Sequence, residues 1–374
     1  MQKATTNIDV KKINRRSVLR YIYEQRTTSR QEIASALQIS MPTVLQNVKE
    51  LQEMGLVREG GQFASTGGRK ASRIESAPET YCAVGVDITR HHLALVLINL
   101  DGSIIAQQRI RYVYQNTDAY YRGMGELVEA FVASQKTEAD RILGVGISLP
   151  GIVNLDQSML TDSHVLNVKN VLTADIQRYI SYPCRFLNDA NAAGFSEIFG
   201  KNSEKSILYL SLSNSVGGAV FINGKLFMGA NCRSGEFGHM RLISGGKTCY
   251  CGQQGCVDAY CSSLCLTSLN DESLECYFEK LKLGDEMHKR HWEQYLDYLA
   301  LTIINLQMFF DSDVVLGGYV GAYLTPWLEA LKQRIAQMDP FAPEVNDLRV
   351  GCYQYEAAAY GAATRWIEEY FNEF

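Results

Sequence analysis

The sequence predicts an α/β protein in which a small basic helical domain precedes a larger two-lobed body. From residue 81 onward, strand-like segments alternate with helical ones, which is typical of α/β folds. The β-rich opening of this part recurs in its second half, which indicates a duplicated architecture. Charge divides the chain as well, because residues 1–73 carry a net +7 and the remainder −12, within a total of −5. A basic first domain favours contact with a polyanion.

Composition limits the class of protein. The opening stretch MQKATTNIDVKK lacks the apolar core of a secretory signal, and no run of about 18 apolar residues predicts a membrane span. Ten cysteines in such a chain are expected to be free thiols or metal ligands rather than a disulfide framework. We therefore expect a cytoplasmic protein of two or three domains.

Three helices are predicted in the basic domain. The first spans residues 12–24 and places Ile13, Val18, Leu19 and Ile22 at roughly helical spacing. Ser29 is suited to cap the second, with Glu32 as its capping-box partner. Ser40 is suited to cap the third, with Pro42 in its first turn.

The third helix predicts a surface for DNA. Its spacing turns Val44, Leu45, Val48 and Leu51 inward and leaves Thr43, Gln46, Asn47 and Lys49 outside. Two short helices joined by a tight turn, the second with a polar face, are typical of a helix-turn-helix that enters the major groove. A small helical bundle without a nucleic-acid role is the alternative.

A wing is predicted after the third helix. The segments LVREGGQF and STGGRKASRIE suggest two short strands with a glycine-rich, basic tip. The wing favours DNA binding over the plain bundle, and the domain is expected to span residues 1–74, followed by a linker at 75–80. The expected DNA-contacting residues are Ser29, Arg30, Ser40, Thr43, Gln46, Asn47, Lys49, Gly67, Gly68, Arg69 and Lys70.

One histidine and three cysteines are concentrated in residues 239–256. Their spacing is H-x9-C-x-C-x4-C, formed by His239, Cys249, Cys251 and Cys256. An imidazole and three thiolates are the ligand set of a closed tetrahedral zinc site, and neighbouring glycines allow the necessary turns. A redox pair is less favoured, because only one residue separates Cys249 from Cys251. Chance clustering is the remaining alternative.

Four motifs in the body carry a family resemblance. In chain order they are LPGIVN, NDANAAGFSE, GEFGHM followed by CYCGQQGCVDAY, and VVLGG. With these motifs the body resembles the ROK family of sugar kinases and sugar-responsive repressors. The resemblance implies an actin-like body of duplicated, ribonuclease H-like lobes. The first lobe is expected at 81–191, completed by a C-terminal helix at 355–374, and the second, with the zinc site, at 192–354.

The resemblance also implies a sugar site. The residues that match the family's sugar ligands are Asn188, Asp189, Glu236, His239 and Asp258. His239 would then serve both the metal and the sugar. The family usually has Glu where this sequence has Asp258, so the pocket is expected to accept a different sugar or an additional water.

The resemblance leaves a choice between an enzyme and a switch. ROK kinases open the body with a D-x-G-x-T phosphate loop, whereas residues 87–92 here read DITRHH. Thr89 replaces the glycine, and bulky side chains follow it. We therefore expect no kinase activity, and Asp189, which matches the catalytic base, to be vestigial.

The expected function is a sugar-responsive repressor that binds a double-stranded DNA operator as a homodimer or homotetramer. A sugar or sugar phosphate would be the effector and zinc the structural metal. The first alternative is an ATP-dependent sugar kinase with a fused DNA-binding domain. The second is a regulator recruited by another protein instead of a sugar.

Overall fold

The first domain of the computed structural model is a winged helix-turn-helix. The structure describes residues 7–62, 72–200, 205–339, 341 and 348–374. Within this domain the elements are α1 (Asn7–Gln25), β1 (Thr27–Ser29), α2 (Arg30–Leu37), α3 (Met41–Glu53), β2 (Val57–Gln62) and β3 (Ser72–Ser76).

The predicted caps of α2 and α3 are present. Ser29 and Glu32 form a reciprocal capping box at α2. Gln38 ends that helix in the left-handed conformation, with φ at 54°. Ser40 caps α3 by accepting a hydrogen bond from the amide of Thr43, with proline in the first turn. These local signals fix the sharp turn between the two helices.

The two predicted wing strands pair with each other. β3 lies between β1 and β2, antiparallel to both. The predicted basic tip at Gly67, Gly68, Arg69 and Lys70 lies outside the described residues. All four apolar residues of the predicted first helix lie in α1, where Val18, Leu19 and Ile22 are buried and Ile13 is 46% exposed. Ile13 falls on the side of α1 turned away from the domain core.

A five-stranded sheet forms the N-terminal lobe. The elements of this lobe are β4 (Cys82–Ile88), β5 (His92–Asn99), β6 (Ile104–Arg111), α4 (Asp118–Ser134), β7 (Ile142–Leu149), β8 (Ile152–Val153), β9 (Met159–Ser163), β10 (Val168–Leu172), α5 (Thr173–Gln177), β11 (Cys184–Asn188) and α6 (Asp189–Ile198). The strand order is β11-β7-β4-β5-β6, and β8 to β10 form a separate small sheet. β4, β5 and β6 are antiparallel neighbours, whereas β4, β7 and β11 are parallel.

The C-terminal lobe repeats this topology. Its elements, with the final helix of the chain, are β12 (Ile207–Leu212), β13 (Val216–Ile222), β14 (Lys225–Leu226), α7 (Asp258–Cys261), α8 (Ser263–Thr267), α9 (Leu274–Leu283), α10 (Glu286–Phe310), β15 (Asp313–Gly317), α11 (Gly318–Leu324), α12 (Leu328–Met338), β16 (Leu348–Val350) and α13 (Ala357–Asn372). The strand order is β14-β13-β12-β15-β16, again three antiparallel strands followed by two parallel ones. The predicted duplication is therefore confirmed.

The last helix, α13, packs into the N-terminal lobe rather than the lobe that precedes it in sequence. It lies against β4, β7 and α6, and it also contacts α1 of the first domain. Glycine makes the close approach to α6 feasible, since a Cβ built on Gly361 would come within 1.7 Å of the carbonyl oxygen of Ala192. Ile22, Val96 and Ile367 share one apolar cluster, which joins the two domains.

Among the described residues, none of the helices combines the length and the apolar character that crossing a bilayer requires.

Candidate functional site

A cavity of about 330 Å³ lies between the two lobes, and we call it the interlobe cavity. Its walls come from the loop after β7, the start of α6, the start of β13 and the segment around the 3₁₀ helix Phe237–His239. Four of the five sequence-predicted sugar residues line it, namely Asn188, Asp189, Glu236 and His239. Ligands of open α/β folds bind at such carboxyl ends of parallel strands.

Asn188 organises the floor of the interlobe cavity. It is the last residue of β11 and caps α6, since its side-chain oxygen accepts a 2.9 Å hydrogen bond from the amide of Asn191. Its amide nitrogen donates to the carbonyl oxygen of Gly151 at 3.0 Å and to Asp189 Oδ1 at 3.1 Å. The cap therefore fixes both the turn and the neighbouring carboxylate.

Burial raises the pKa values of the acidic groups in and beside the interlobe cavity. Burial, and then the carboxylate of Asp87, raise the pKa of Asp189 to about 7. Burial raises the pKa of Asp87 to about 6, although Ser148 donates it a 2.6 Å hydrogen bond. Burial raises the pKa of Glu236 as well. With a pKa of about 7, Asp189 can act both as a hydrogen-bond donor and as an acceptor towards a hydroxyl group at neutral pH.

The structure does not bring Asp258 to the wall of the interlobe cavity. Its side chain is 5% exposed, and its Oδ2 accepts a 2.6 Å hydrogen bond from the amide of Val216. In this conformation Asp258 therefore does not contact the space that a ligand in the cavity would fill. Val216 does line the cavity, so Asp258 fixes a piece of its wall.

Sequence reasoning missed several lining residues, among them His164 and Tyr250. Tyr250 stands between Cys249 and Cys251, and its hydroxyl is 3.3 Å from His239 Nε2. The position of Tyr250 inside the cysteine motif could have indicated that it lies near the metal and the cavity. His164 follows β9, and the ring centroids of His164 and Tyr250 are 6.1 Å apart.

The predicted metal ligands come together beside the interlobe cavity. The ligand atoms of His239, Cys249, Cys251 and Cys256 all lie within 4.8 Å of one another. His239 Nδ1 is 3.9 Å from Cys249 Sγ, and the Sγ atoms of Cys251 and Cys256 are also 3.9 Å apart. Zinc–sulfur bonds of 2.3 Å in a tetrahedron place sulfurs about 3.8 Å apart, so this donor set fits zinc.

Tight turns hold the cysteines in place. Gly252 and Gly255 have φ values of 83° and 79°, in the left-handed region that favours glycine. A Cβ on Gly255 would meet the carbonyl oxygen of Ile243 at 1.7 Å. The hydroxyl of Tyr260 accepts a 2.7 Å hydrogen bond from the amide of Lys247, which anchors the start of the loop.

The side chain of Thr89 closes the turn between β4 and β5. The Thr89 hydroxyl accepts a hydrogen bond from the His92 amide and donates one to the His92 carbonyl oxygen, both at 3.0 Å. Nearby, the Arg109 guanidinium lies 5.7 Å and 5.3 Å from the ring centroids of Tyr319 and Tyr355. These groups line a second part of the interlobe cleft.

The exposed face of α3 differs from the prediction at two residues. Asn47 is 2% exposed and donates a 2.8 Å hydrogen bond to the carbonyl oxygen of Thr43, so the prediction that it faces outward was wrong. Leu45 is 48% exposed, although it was expected inside. The inward stripe follows positions 44, 47, 48 and 51, the i, i+3, i+4, i+7 pattern of an amphipathic helix.

The remaining DNA-binding candidates divide by exposure. Ser29 is 5% exposed and its hydroxyl is engaged in the cap, so it supports α2 from inside. Arg30 forms an ion pair with Glu59 of β2 at 2.7 Å. Gln46 and Lys49 are exposed on α3, whereas Ser40 and Thr43 lie at its start, joined by a 2.8 Å hydroxyl contact.

Known proteins are similar to both parts of the chain. Residues 83–369 match the ROK family, and residues 12–58 match a winged helix-turn-helix DNA-binding family. The xylose repressor of Bacillus subtilis (strain 168) is 27% identical over 321 residues, 82% of each chain. The DNA-binding transcriptional dual regulator NagC of Escherichia coli (strain K12) is 25% identical over 335 residues, covering 84% of this chain and 82% of NagC.

Solved structures share the fold. A ROK family transcriptional regulator, a homologue of the E. coli MLC protein, superimposes with a TM-score of 0.76 at 20% identity, over 97% of each chain. A ROK family glucokinase from Streptomyces griseus, in complex with glucose and AMPPNP, superimposes with a TM-score of 0.62 at 21% identity, over 75% of this chain and 98% of the glucokinase. On the match that covers residues 83–369, this chain belongs to the ROK family.

Proposed function

We propose that this protein is a sugar-responsive DNA-binding transcriptional regulator, a repressor of carbohydrate-utilisation genes. The observation that carries the proposal is the fusion of a winged helix-turn-helix to a body whose interlobe cavity holds Asn188, Asp189, Glu236 and His239. The names of the similar proteins, xylose repressor and NagC, support the same conclusion. The proposal includes a cytoplasmic location, because a transcriptional regulator must reach the DNA that it binds.

Sugar binding is supported by the groups that face the interlobe cavity. Amide and carboxyl side chains recognise vicinal hydroxyls through paired hydrogen bonds. Asn188, Asp189, Glu236 and His239 would contact the sugar, with Tyr250 at the rim. Asp258 would act indirectly, through the backbone at Val216.

Zinc is the metal that we propose for the four-residue cluster. His239, Cys249, Cys251 and Cys256 would hold it, and it would supply no chemistry beyond fixing the loop. His239 Nδ1 faces the thiol of Cys249, and Nε2 faces the Tyr250 hydroxyl at the interlobe cavity. The metal would thereby orient a sugar-facing ring.

Loss of kinase activity is supported by the turn at residues 87–92. The Thr89 hydroxyl accepts a hydrogen bond from the His92 amide. In a phosphate loop, backbone amides of the turn would instead be free to bind a nucleotide. The guanidinium of Arg109 lies beside the neighbouring rings of Tyr319 and Tyr355 and lines the same part of the cleft. Asp189 then serves as a hydrogen-bonding group for a sugar hydroxyl, without a phosphoryl donor.

DNA binding would use the exposed residues of the first domain. Gln46 and Lys49, together with Thr43 and Ser40, form the face of α3 that we assign to the major groove, and Arg30 supports a phosphate contact. The wing residues 67–70 would reach the minor groove.

A homodimer or homotetramer would present two such domains to an inverted repeat in the operator. The sugar would favour one arrangement of the two lobes over the other.

The test is a titration of the protein onto its own upstream DNA at several salt concentrations, with and without a panel of sugars and sugar phosphates. We expect tight binding with a steep salt dependence, weakened by one sugar. Matched titrations with Glu236→Gln should retain DNA binding and lose the response. ADP release from sugar and magnesium ATP is the control, and turnover there would support the kinase alternative instead. A full response to the inducing signal in a variant with both Glu236 and Asp189 replaced would favour recruitment by another protein.

A further inference from the structure

A second cavity, of about 320 Å³, adjoins the first turn of α6, and we call it the α6 cavity. It shares Asn188 and Asn191 with the interlobe cavity but has its own walls. The N-terminal lobe contributes the β8–β9 loop and β11, and the C-terminal lobe contributes the β13–β14 hairpin. A ligand here would therefore touch both lobes at once.

Arg365 of α13 lines the α6 cavity without a counterion. Its guanidinium carbon lies 4.2 Å from the ring centroid of Phe195, so the aromatic ring supports one face of the cation. Within the part of the chain that the structure describes, Arg365 makes no hydrogen bond and no ion pair. Burial lowers its pKa, which reflects the cost of desolvating the charge.

The nearest acidic side chains on α13 have other partners. Glu368 accepts a 2.6 Å hydrogen bond from Arg20, and Glu369 is paired with Arg185. The positive charge of Arg365 is thus balanced only at longer range. A partly buried guanidinium with open hydrogen-bonding edges is suited to an oxyanion, which it can hold through two parallel hydrogen bonds.

A second cation faces the same space. Lys225 in β14 lines the α6 cavity from the C-terminal lobe, and no carboxylate is among the described lining residues. Two cations and no acid favour a dianion over a monoanion. Phe186 and Leu187 supply apolar wall, and the volume lies in the range that small-molecule sites occupy.

We propose that the α6 cavity is a binding site for a phosphate group, held by Arg365 and Lys225. The phosphate is either free or carried by a small metabolite. Binding of phosphate at the α6 cavity does not depend on the sugar or on DNA. Because Asn188 and Asn191 line both cavities, an effect of phosphate on the interlobe ligand would follow, and that effect rests on the proposed function.

The test is calorimetric titration of the full chain with inorganic phosphate at constant ionic strength. We expect saturable binding, weakened at least tenfold in Arg365→Gln and at least threefold in Lys225→Gln. Lys282→Gln, which removes an exposed cation at the end of α9, should bind like the original chain. Saturable heat that survives unchanged in Arg365→Gln, or no saturable heat in the original chain, would overturn the proposal.

Two further measurements make the result decisive. Circular dichroism checks that each variant is folded, and Lys225→Gln, which changes an exposed residue, decides the matter if Arg365→Gln does not fold. Glycerol 3-phosphate that binds more tightly than inorganic phosphate would support a metabolite as the source, and equal affinity would support free phosphate. Acetate binding as tight as phosphate would overturn the choice of a dianion.

Discussion

Arg20 in the first helix of the DNA-binding domain donates a 2.6 Å hydrogen bond to Glu368 in the last helix of the body. The same guanidinium reaches Asn372 at 3.3 Å and lies 5.8 Å from the Phe371 ring centroid. Because α13 also packs on α6, whose first residues line the interlobe cavity, one helix contacts both the DNA-binding domain and a helix that forms part of the cavity wall.

Breaking this pair should weaken the communication between ligand and DNA. In Glu368→Gln we expect the ratio of DNA affinities without and with the effective sugar to fall roughly two- to fivefold, a loss of about 0.5–1 kcal/mol of coupling. Sugar affinity of the isolated protein should stay the same. Glu369→Gln, which breaks a pair within the body, is the matched control. An unchanged ratio in Glu368→Gln would mean that coupling runs through other contacts.

Asp189→Asn should change how stability depends on pH. The folded-state pKa of about 7 lies above the ordinary 3.8, so the native state holds this proton more tightly than the unfolded chain. Its contribution is complete below about pH 4 and is lost as pH rises through 7. We expect Asp189→Asn to be more stable than the original chain at pH 8 by on the order of 1–2 kcal/mol, with little gain at pH 4. Urea unfolding at several pH values measures this.

Asp140→Asn, at an exposed carboxylate outside the interlobe cavity, is the comparison variant. A pH profile that Asp189→Asn leaves the same as that of the original chain would contradict the role of Asp189, and the raised pKa of Asp87 would then be the source of the slope.

Cys251→Ser should remove the metal. Elemental analysis of the original protein is expected to find about one zinc per chain, and the variant should retain little. Since a metal bound only by the native state stabilises it, the Tm of the variant should fall by roughly 5–10 °C. Cys352→Ser, at an exposed thiol outside the cluster, should keep both zinc and Tm. Full zinc content in Cys251→Ser would contradict the assignment.

Lys49→Gln should weaken DNA binding without affecting the fold. Lys49 is exposed on α3, and its ion pair with Glu53, at 3.8 Å, contributes little to stability. If Lys49 contacts a phosphate, the slope of log affinity against log salt should decrease by about one. The Tm should not move. A slope that stays the same would place Lys49 away from the DNA backbone.

Asn47→Ala should act on stability rather than on recognition. The buried amide donates to the carbonyl oxygen of Thr43, and its loss leaves a gap in the core of the domain. We expect the unfolding free energy of the domain to fall by about 1–2 kcal/mol. DNA affinity measured well below the Tm should change less than in Lys49→Gln. A variant with normal Tm and abolished binding would return Asn47 to the DNA face.

Sequence patterning predicted the elements that depend on local signals. The caps at Ser29 and Ser40 depend on neighbouring residues, so they could be predicted directly. The metal cluster was predictable because its ligands lie within eighteen residues and glycines define the turns.

Side-chain direction was harder to predict. Asn47 is polar, which favours an exposed position, yet it is buried: its amide nitrogen donates to the carbonyl oxygen of Thr43 in its own helix, and its amide oxygen finds no partner among the described residues. Asp258 follows a sugar-site motif, but a backbone amide 42 residues earlier captures its carboxylate. Arg365 belongs to no sequence motif. Among the described residues it lacks a counterion because Glu368 and Glu369, its acidic neighbours on α13, are paired with the distant residues Arg20 and Arg185. Such long-range competition is not visible in the sequence.

The placement of α13 against β4 and β7 affects the order of assembly during synthesis. Residues 357–372 leave the ribosome only after the whole second lobe has been made. Until then, the surface of β4 and β7 that α13 covers in the folded protein is exposed to solvent. That exposed apolar face is a target for chaperones and for aggregation in the growing chain. A stop codon shortly before α13 would therefore produce an insoluble product, not a DNA-binding domain with a silent body.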